Sequence, residues 1–251
     1  MSKRYSNSPI IEAVCELRLA PDSKWDLTIP GLIYETIKND FPNKEQRRVS
    51  NQLILPKEIL EKPQNIEQQL IIDDLALFRS EDQKQLIQVG NHLLSINRLK
   101  PYISWNQFRP LIGKAFEILR QVAGLNEIQR IGLRYINRID VPDTNIKLEN
   151  YFEFKPSLGR NLPEMLIDFI VKCSLSYYDG RDICRIQLRS VIPEDKNSSS
   201  FLLDLDYFLN DPKAVTENSI LEWADKAHEE IEKVFEGCIT DRLRTLFDEV
   251  K

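Results

Sequence analysis

Apolar and polar residues alternate along some stretches of this chain and recur at helical spacing along others. The order of these stretches predicts the fold. Residues 9–19 read as a strand, with Ile11, Ala13, Cys15, Leu17 and Leu19 on one face and Glu12, Val14, Glu16 and Arg18 on the other; Pro21 and Asp22 end it. A helix is expected over 29–40. Thr28 is placed to cap it, Pro30 suits its first turn, Ile29, Ile33 and Ile37 form its apolar stripe, and Pro42 stops it. Residues 52–69 hold two prolines and mixed polarity and read as a connector with a short strand. Residues 71–79 and 85–98 read as long strands joined by a polar turn at 80–83. Residues 105–122 give the clearest helix. Ser104 and Gln107 have capping-box spacing, and Phe108, Leu111, Ile112, Ala115, Phe116, Leu119 and Val122 form its stripe. Pro110 then has to lie near the first turn, and Gly124 is placed to stop the helix.

The next strand, 130–140, sets the functional question. Arg130, Gly132, Arg134, Ile136 and Arg138 share one face, and Ile131, Leu133, Tyr135, Asn137 and Ile139 share the other. Three arginines on one strand face are costly unless they meet water, carboxylates or phosphates. Pro142–Asn145 is rich in turn residues and divides the chain into lobes 1–142 and 143–251. In the second lobe, Asp179-Gly180 signals a two-residue hairpin turn. That turn sets Ser174 opposite Arg185 and Leu175 opposite Cys184, with Ile183, Arg185, Gln187 and Arg189 on one face. Residues 201–209 form a strand with Asp204 and Asp206 on the same face. Ser219 and Glu222 suggest a second capping box opening a long amphipathic helix over 219–249, in which Thr240-Asp241 marks a bend or a new cap. The expected class is α+β: mostly antiparallel sheets covered on one side by amphipathic helices, in two lobes.

Composition narrows the partners. The chain has 251 residues and a net charge of -5, so there is no overall basic field to attract nucleic acid, and any phosphate binding has to be local. No apolar run approaches the roughly 18–20 residues that span a bilayer. Met1–Tyr5 leads into polar residues without the apolar segment of a signal peptide, which makes a cytoplasmic location the expectation. Cys15, Cys173, Cys184 and Cys238 are widely spaced, and His92 and His228 are the only histidines, so zinc and His-based triads have little raw material. There is no phosphate loop, dinucleotide fingerprint or nucleophile elbow.

The candidate chemistry is therefore charged. Arg130, Arg134 and Arg138 suit phosphate oxygens, because the guanidinium fork matches them; equally, they can pair with Glu12 and Glu16 across the sheet or lie in water. Asp204 and Asp206 have the spacing to hold Mg²⁺ or Mn²⁺ jointly, or to form a charge ladder with Arg185 and Arg189. Taken together these residues are similar in outline to the triphosphate-tunnel enzymes, whose barrels are lined by Arg, Lys and paired Glu. The chain departs from that pattern at Val14, where the family's first strand needs a charged residue, and in having few strand lysines. His228, at the edge of an apolar helical stripe, reads as packed and hydrogen bonded, and His92 as a strand residue. Cys173 and Cys184 read as reduced core thiols, and Tyr102, Trp105 and Tyr135 as core or interface aromatics.

Several segments carry a further resemblance. They are Tyr5–Val14, Val89–His92 through Asn97, Pro101–Phe108, Arg130–Ile139, Ala227-His228 and Phe235–Asp241. Across almost its full length the chain resembles a sporadically distributed family of uncharacterised prokaryotic proteins. The resemblance implies patchily inherited, mobile or defence-associated genes, and so a partner-binding component of a toxin–antitoxin or antiviral cassette. Two expectations follow. The first is a non-enzymatic interaction subunit, without a cofactor, that binds a protein or nucleic-acid partner through a charged sheet face. The second is a metal-dependent phosphohydrolase or phosphate-ligand binder using Arg130, Arg134, Arg138, Glu12, Glu16, Asp204 and Asp206.

Overall fold

The alternating stretches assemble into one antiparallel sheet. In a computed structural model, which describes residues 5–52, 70–124, 128–159, 161–162 and 166–248, nine strands are seen: β1 (Ile10–Leu19), β2 (Asn43–Gln52), β3 (Leu70–Arg79), β4 (Gln85–Gly90), β5 (Leu93–Leu99), β6 (Ile128–Val141), β7 (Ile170–Tyr177), β8 (Asp182–Val191) and β9 (Ser199–Leu209). Their spatial order is β2-β3-β4-β5-β1-β6-β9-β8-β7. Residues 1–142 supply β1 to β6 and residues 143–251 supply β7 to β9. The two sets meet where β6 pairs with β9, from Gly132 opposite Phe208 to Val141 opposite Ser199.

One sheet face is covered. Helices α1 (Ile29–Ile37), α2 (Trp105–Ala123) and α3 (Ile220–Cys238) lie side by side on it, followed by the short α4 (Asp241–Arg244). Their stripes, including Ile33, Phe108, Ile112, Leu119, Ala227 and Ile231, pack on Cys15, Leu17, Ile96, Leu133, Tyr135, Leu203, Leu205 and Cys184 in one buried cluster. The class is thus α+β, with the helices on one side, as the alternation predicts. Glu12, Glu16, Arg18, Arg130, Arg134, Arg138, Arg185, Arg189, Asp204 and Asp206 all fall on the opposite, open face, because their in-register neighbours share their parity.

Several local expectations change. The strand expected over 85–98 is a hairpin, β4–β5, turning at Asn91-His92 with His92 at φ 54°. The turn was hidden because its left-handed position holds histidine rather than glycine. His92 is therefore a turn residue; its Nδ1 lies 2.9 Å from Ser23 Oγ. Strand β2 was not anticipated: Asn43–Gln52 is almost wholly polar, and it is an edge strand built by pairing with β3. The connector expected over 52–69 lies, beyond Gln52, outside the described residues.

The β7–β8 register, Ser174 with Arg185 and Leu175 with Cys184, is as read from the Asp-Gly signal, but the connection is longer. It spans Tyr178 to Arg181, and Tyr178, Asp179 and Gly180 all have positive φ. Helix α1 ends at Ile37 rather than 40, and Thr28 bonds back to Asp26 instead of capping it. Neither anticipated capping box forms around Ser104 or Ser219: Ser104 makes no side-chain cap bond, and the Ser219 hydroxyl accepts from the Thr216 N–H one turn earlier. Pro110 sits in the second turn of α2, where the helix forgoes one backbone bond. The helix expected over 219–249 breaks at Ile239, which is extended and bridges to Phe152. Thr240 then caps α4 by accepting from the Leu243 N–H.

Candidate functional site: the open sheet face

Strand β6 lies between β1 and β9, so its arginines meet acidic neighbours on both sides. Arg130 donates through Nη1 to Glu16 Oε1 at 2.8 Å and through Nη2 to both oxygens of Asp206 at 3.1 Å. Its guanidinium also lies over the Phe208 ring, 5.0 Å from the centroid. Arg134 grips Asp204 with a two-pronged fork, Nε to Oδ1 at 2.7 Å and Nη2 to Oδ2 at 2.5 Å. These bonds hold the Arg134 pKa above its ordinary value, against the opposing effect of burial. Arg138 turns to the end of its own strand and pairs with Asp140 at 3.2 Å, with Glu194 at 3.6 Å.

The partners on adjacent strands complete the face. Arg185 of β8 reaches Asp206 at 3.5 Å and shares the Phe208 ring at 5.2 Å. Arg18 donates through Nε to Glu16 at 2.9 Å. Glu12 does not join the arginines. It accepts from Asn97 Nδ2 at 2.6 Å, in a polar row that continues to Ser95 and Gln88. Arg189 is exposed on the same face and takes part in no described ion pair. Of the two expected pairings across β1 and β6, Glu16 thus holds an arginine and Glu12 does not.

Asp204 and Asp206 share the open face as their spacing requires, but each carboxylate already accepts from guanidinium groups. A cation at this pair would have to displace them. Among the described residues no group of three or more His, Cys, Asp or Glu side chains is arranged to hold a metal ion.

These side chains surround a depression of about 350 Å³ lined by Val14, Glu16, Arg18, Arg130, Gly132, Arg134, Arg185 and Asp206. Gly132 is the residue whose role the sequence reading left unexamined. A Cβ placed there would lie 2.8 Å from Arg130 Nη1 and 3.2 Å from its Cζ, so glycine lets the guanidinium fold flat across its own strand. The signal was present, since a glycine inside a strand marks a close approach. Phe208 was also missed, although its parity with Asp204 and Asp206 places it on this face.

The helix side holds a second polar group. His228 on α3 stacks on Trp105 at 4.6 Å, its Nδ1 lies 2.9 Å from the Tyr135 hydroxyl, and that hydroxyl lies 3.2 Å from Tyr102 Oη. Burial pushes the imidazole pKa down to about 4, against the pull of Asp225 and Glu229. The histidine is packed and bonded, as its place on the stripe implies. All four cysteines are free thiols.

No protein-family model matches the chain, and no curated protein matches it. No helix among the described residues is long and apolar enough to cross a membrane.

Proposed function

We propose that this protein is a non-enzymatic interaction subunit that binds an acidic partner through the open face of its sheet. The observation that carries this reading is the uncovered face itself. Among the described residues helices pack on one side only, while Arg130, Arg134, Arg138, Arg185 and Arg189 are spread over neighbouring strands on the other. Arg134 and Arg185 keep a large part of their side chains in contact with solvent, at 46% and 42% exposure, although both have acidic neighbours. Their remaining N–H groups are thus within reach of an acidic group in solution. The partner is a protein or a nucleic-acid backbone. With a net charge of -5, attraction to either is local to this face. A cytoplasmic place in a defence or toxin–antitoxin cassette accords with the family resemblance carried by Tyr5–Val14 and Arg130–Ile139.

The test is co-purification of the tagged protein from its native host, with protein and nucleic-acid detection, repeated with Arg134→Ala. A stoichiometric partner that is lost in the variant and released by salt supports the reading. A clean monomer or self-oligomer in both samples defeats it.

A second reading, a metal-dependent phosphohydrolase, is favoured by one observation: side chains from both halves of the chain converge on the same depression. It requires Mg²⁺ or Mn²⁺ to displace arginine from Asp204 and Asp206. Phosphate release from triphosphate with either ion, abolished in Asp206→Asn, would put this reading first.

A further inference from the structure

The depression around Gly132 has more specific chemistry than the face that surrounds it. Four guanidinium groups and two carboxylates line it, and Asp204, paired with Arg134, adjoins them, so four positive charges face three negative ones. Arg130 is held through both Nη atoms between Glu16 and Asp206 and forms part of the floor. The other three arginines come from three different strands and retain donors. Arg18 of β1 is held through Nε alone, Arg134 of β6 through Nε and Nη2, and Arg185 of β8 by a single long contact.

We propose that this depression binds a small phosphomonoester as its dianion, through the free N–H groups of Arg18, Arg134 and Arg185. The proposal rests on the reading of the open face as a binding surface for acidic groups. Three considerations select the ligand. The net positive charge and the unoccupied donors favour an anion with several terminal oxygens, of which a monoester offers three and a phosphodiester two. Donors that arrive from three strands suit tetrahedrally arranged oxygens, whereas one fork satisfies a planar carboxylate, as Arg134 already does for Asp204. The floor is Gly132, where a Cβ would press on the Arg130 guanidinium at 2.8 Å and make that side-chain end shift. A bound monoester covers Arg134 and Arg185, the arginines assigned to the partner, so ligand and partner exclude each other.

The test is calorimetric titration of the full chain with inorganic phosphate, phenyl phosphate, dimethyl phosphate and acetate. Inorganic phosphate and phenyl phosphate are expected to bind at one site, and the diester and acetate at least about tenfold more weakly. A response to inorganic phosphate alone would assign the site to the free ion rather than an ester and overturn the proposal as stated. Gly132→Ala and Arg185→Ala are each expected to weaken phenyl phosphate binding by about tenfold or more, with Arg120→Ala on α2 unchanged. Near-UV circular dichroism establishes that each variant is folded, and Arg18→Ala decides the matter if Arg185→Ala is not. Equal binding of all four anions, or wild-type affinity in the folded Gly132→Ala and Arg185→Ala proteins, overturns the proposal. The two readings fail separately. Phenyl phosphate binding with no co-purified partner removes the interaction subunit and leaves the site; a partner with no anion binding does the reverse.

Discussion

Arg130 and Arg134 occupy the same face of one strand, and their surroundings make them unequal. Arg130 is the more buried and neutralises two carboxylates, one of them on Asp206, which is itself largely buried. Replacing Arg130 by alanine leaves Glu16 with Arg18 alone and Asp206 with only the long contact to Arg185, and is expected to cost about 1–3 kcal/mol. Arg134 is half exposed, and its bond to Asp204 is screened by water. Arg134→Ala is expected to cost less than about 1 kcal/mol while removing partner binding. Urea unfolding of the two variants checks the order, and an Arg134→Ala loss as large as that of Arg130→Ala would make Arg134 a structural residue.

His228 gives a prediction in pH. Its folded pKa, about 4, lies below the ordinary 6.5 of an unfolded histidine. Between those values the unfolded chain binds the extra proton, so this residue's contribution is complete above pH 6.5 and is lost as pH falls towards 4. The full loss is on the order of 3 kcal/mol. His228→Gln should therefore lose less stability than the native protein between pH 7 and pH 4.5, read from urea midpoints at the two pH values. Parallel losses in both proteins would show that the imidazole is not the group responsible.

At the scale of elements, one buried acid ties three of them together. Asp182 begins β8 and is 0% exposed. It accepts from Trp223 Nε1 of α3 at 3.0 Å, from the Tyr207 hydroxyl of β9 at 3.0 Å and from Arg181 Nη2 at 2.5 Å. Alanine there strands two buried donors on different elements, with an expected cost of about 3 kcal/mol. Trp223 fluorescence during urea unfolding reports both the local change and the global midpoint. An unchanged midpoint would mean that the donors find other partners.

For the whole molecule, the decisive feature is that the junction between the halves is the β6–β9 ladder in the middle of a single sheet. Leu133, Tyr135 and Ile139 of β6 and Leu203, Leu205 and Tyr207 of β9 lie in the same buried cluster beneath α3. Fragments 1–142 and 143–251 would each expose a long unpaired edge and half of that cluster. Neither is expected to fold cooperatively alone, and mixing them should restore the near-UV signal. A cooperative thermal transition in an isolated fragment would refute this.

The sequence by itself determined what its periodicities encode: the α+β class, the helical stripes of α1, α2 and α3, the inward and outward faces of β1, β6 and β9, and the β7–β8 register. These rest on local patterns that a one-residue shift would turn inside out. The same parity placed the arginines and acids of the site on one face before any contact was known. Strand β2 was not legible, because a polar edge strand has no buried face to mark it and exists through its pairing with β3. The Asn91-His92 turn was hidden for want of a glycine at its left-handed position. Which acid each arginine holds was decided only by the tertiary structure. The strand order brings β9, distant in sequence, beside β6, so that Arg134 meets Asp204, while Glu12 is drawn away by Asn97. The depression likewise exists because residues of β1, β6, β8 and β9, far apart along the chain, come together around one glycine, a juxtaposition that no local pattern along the chain records.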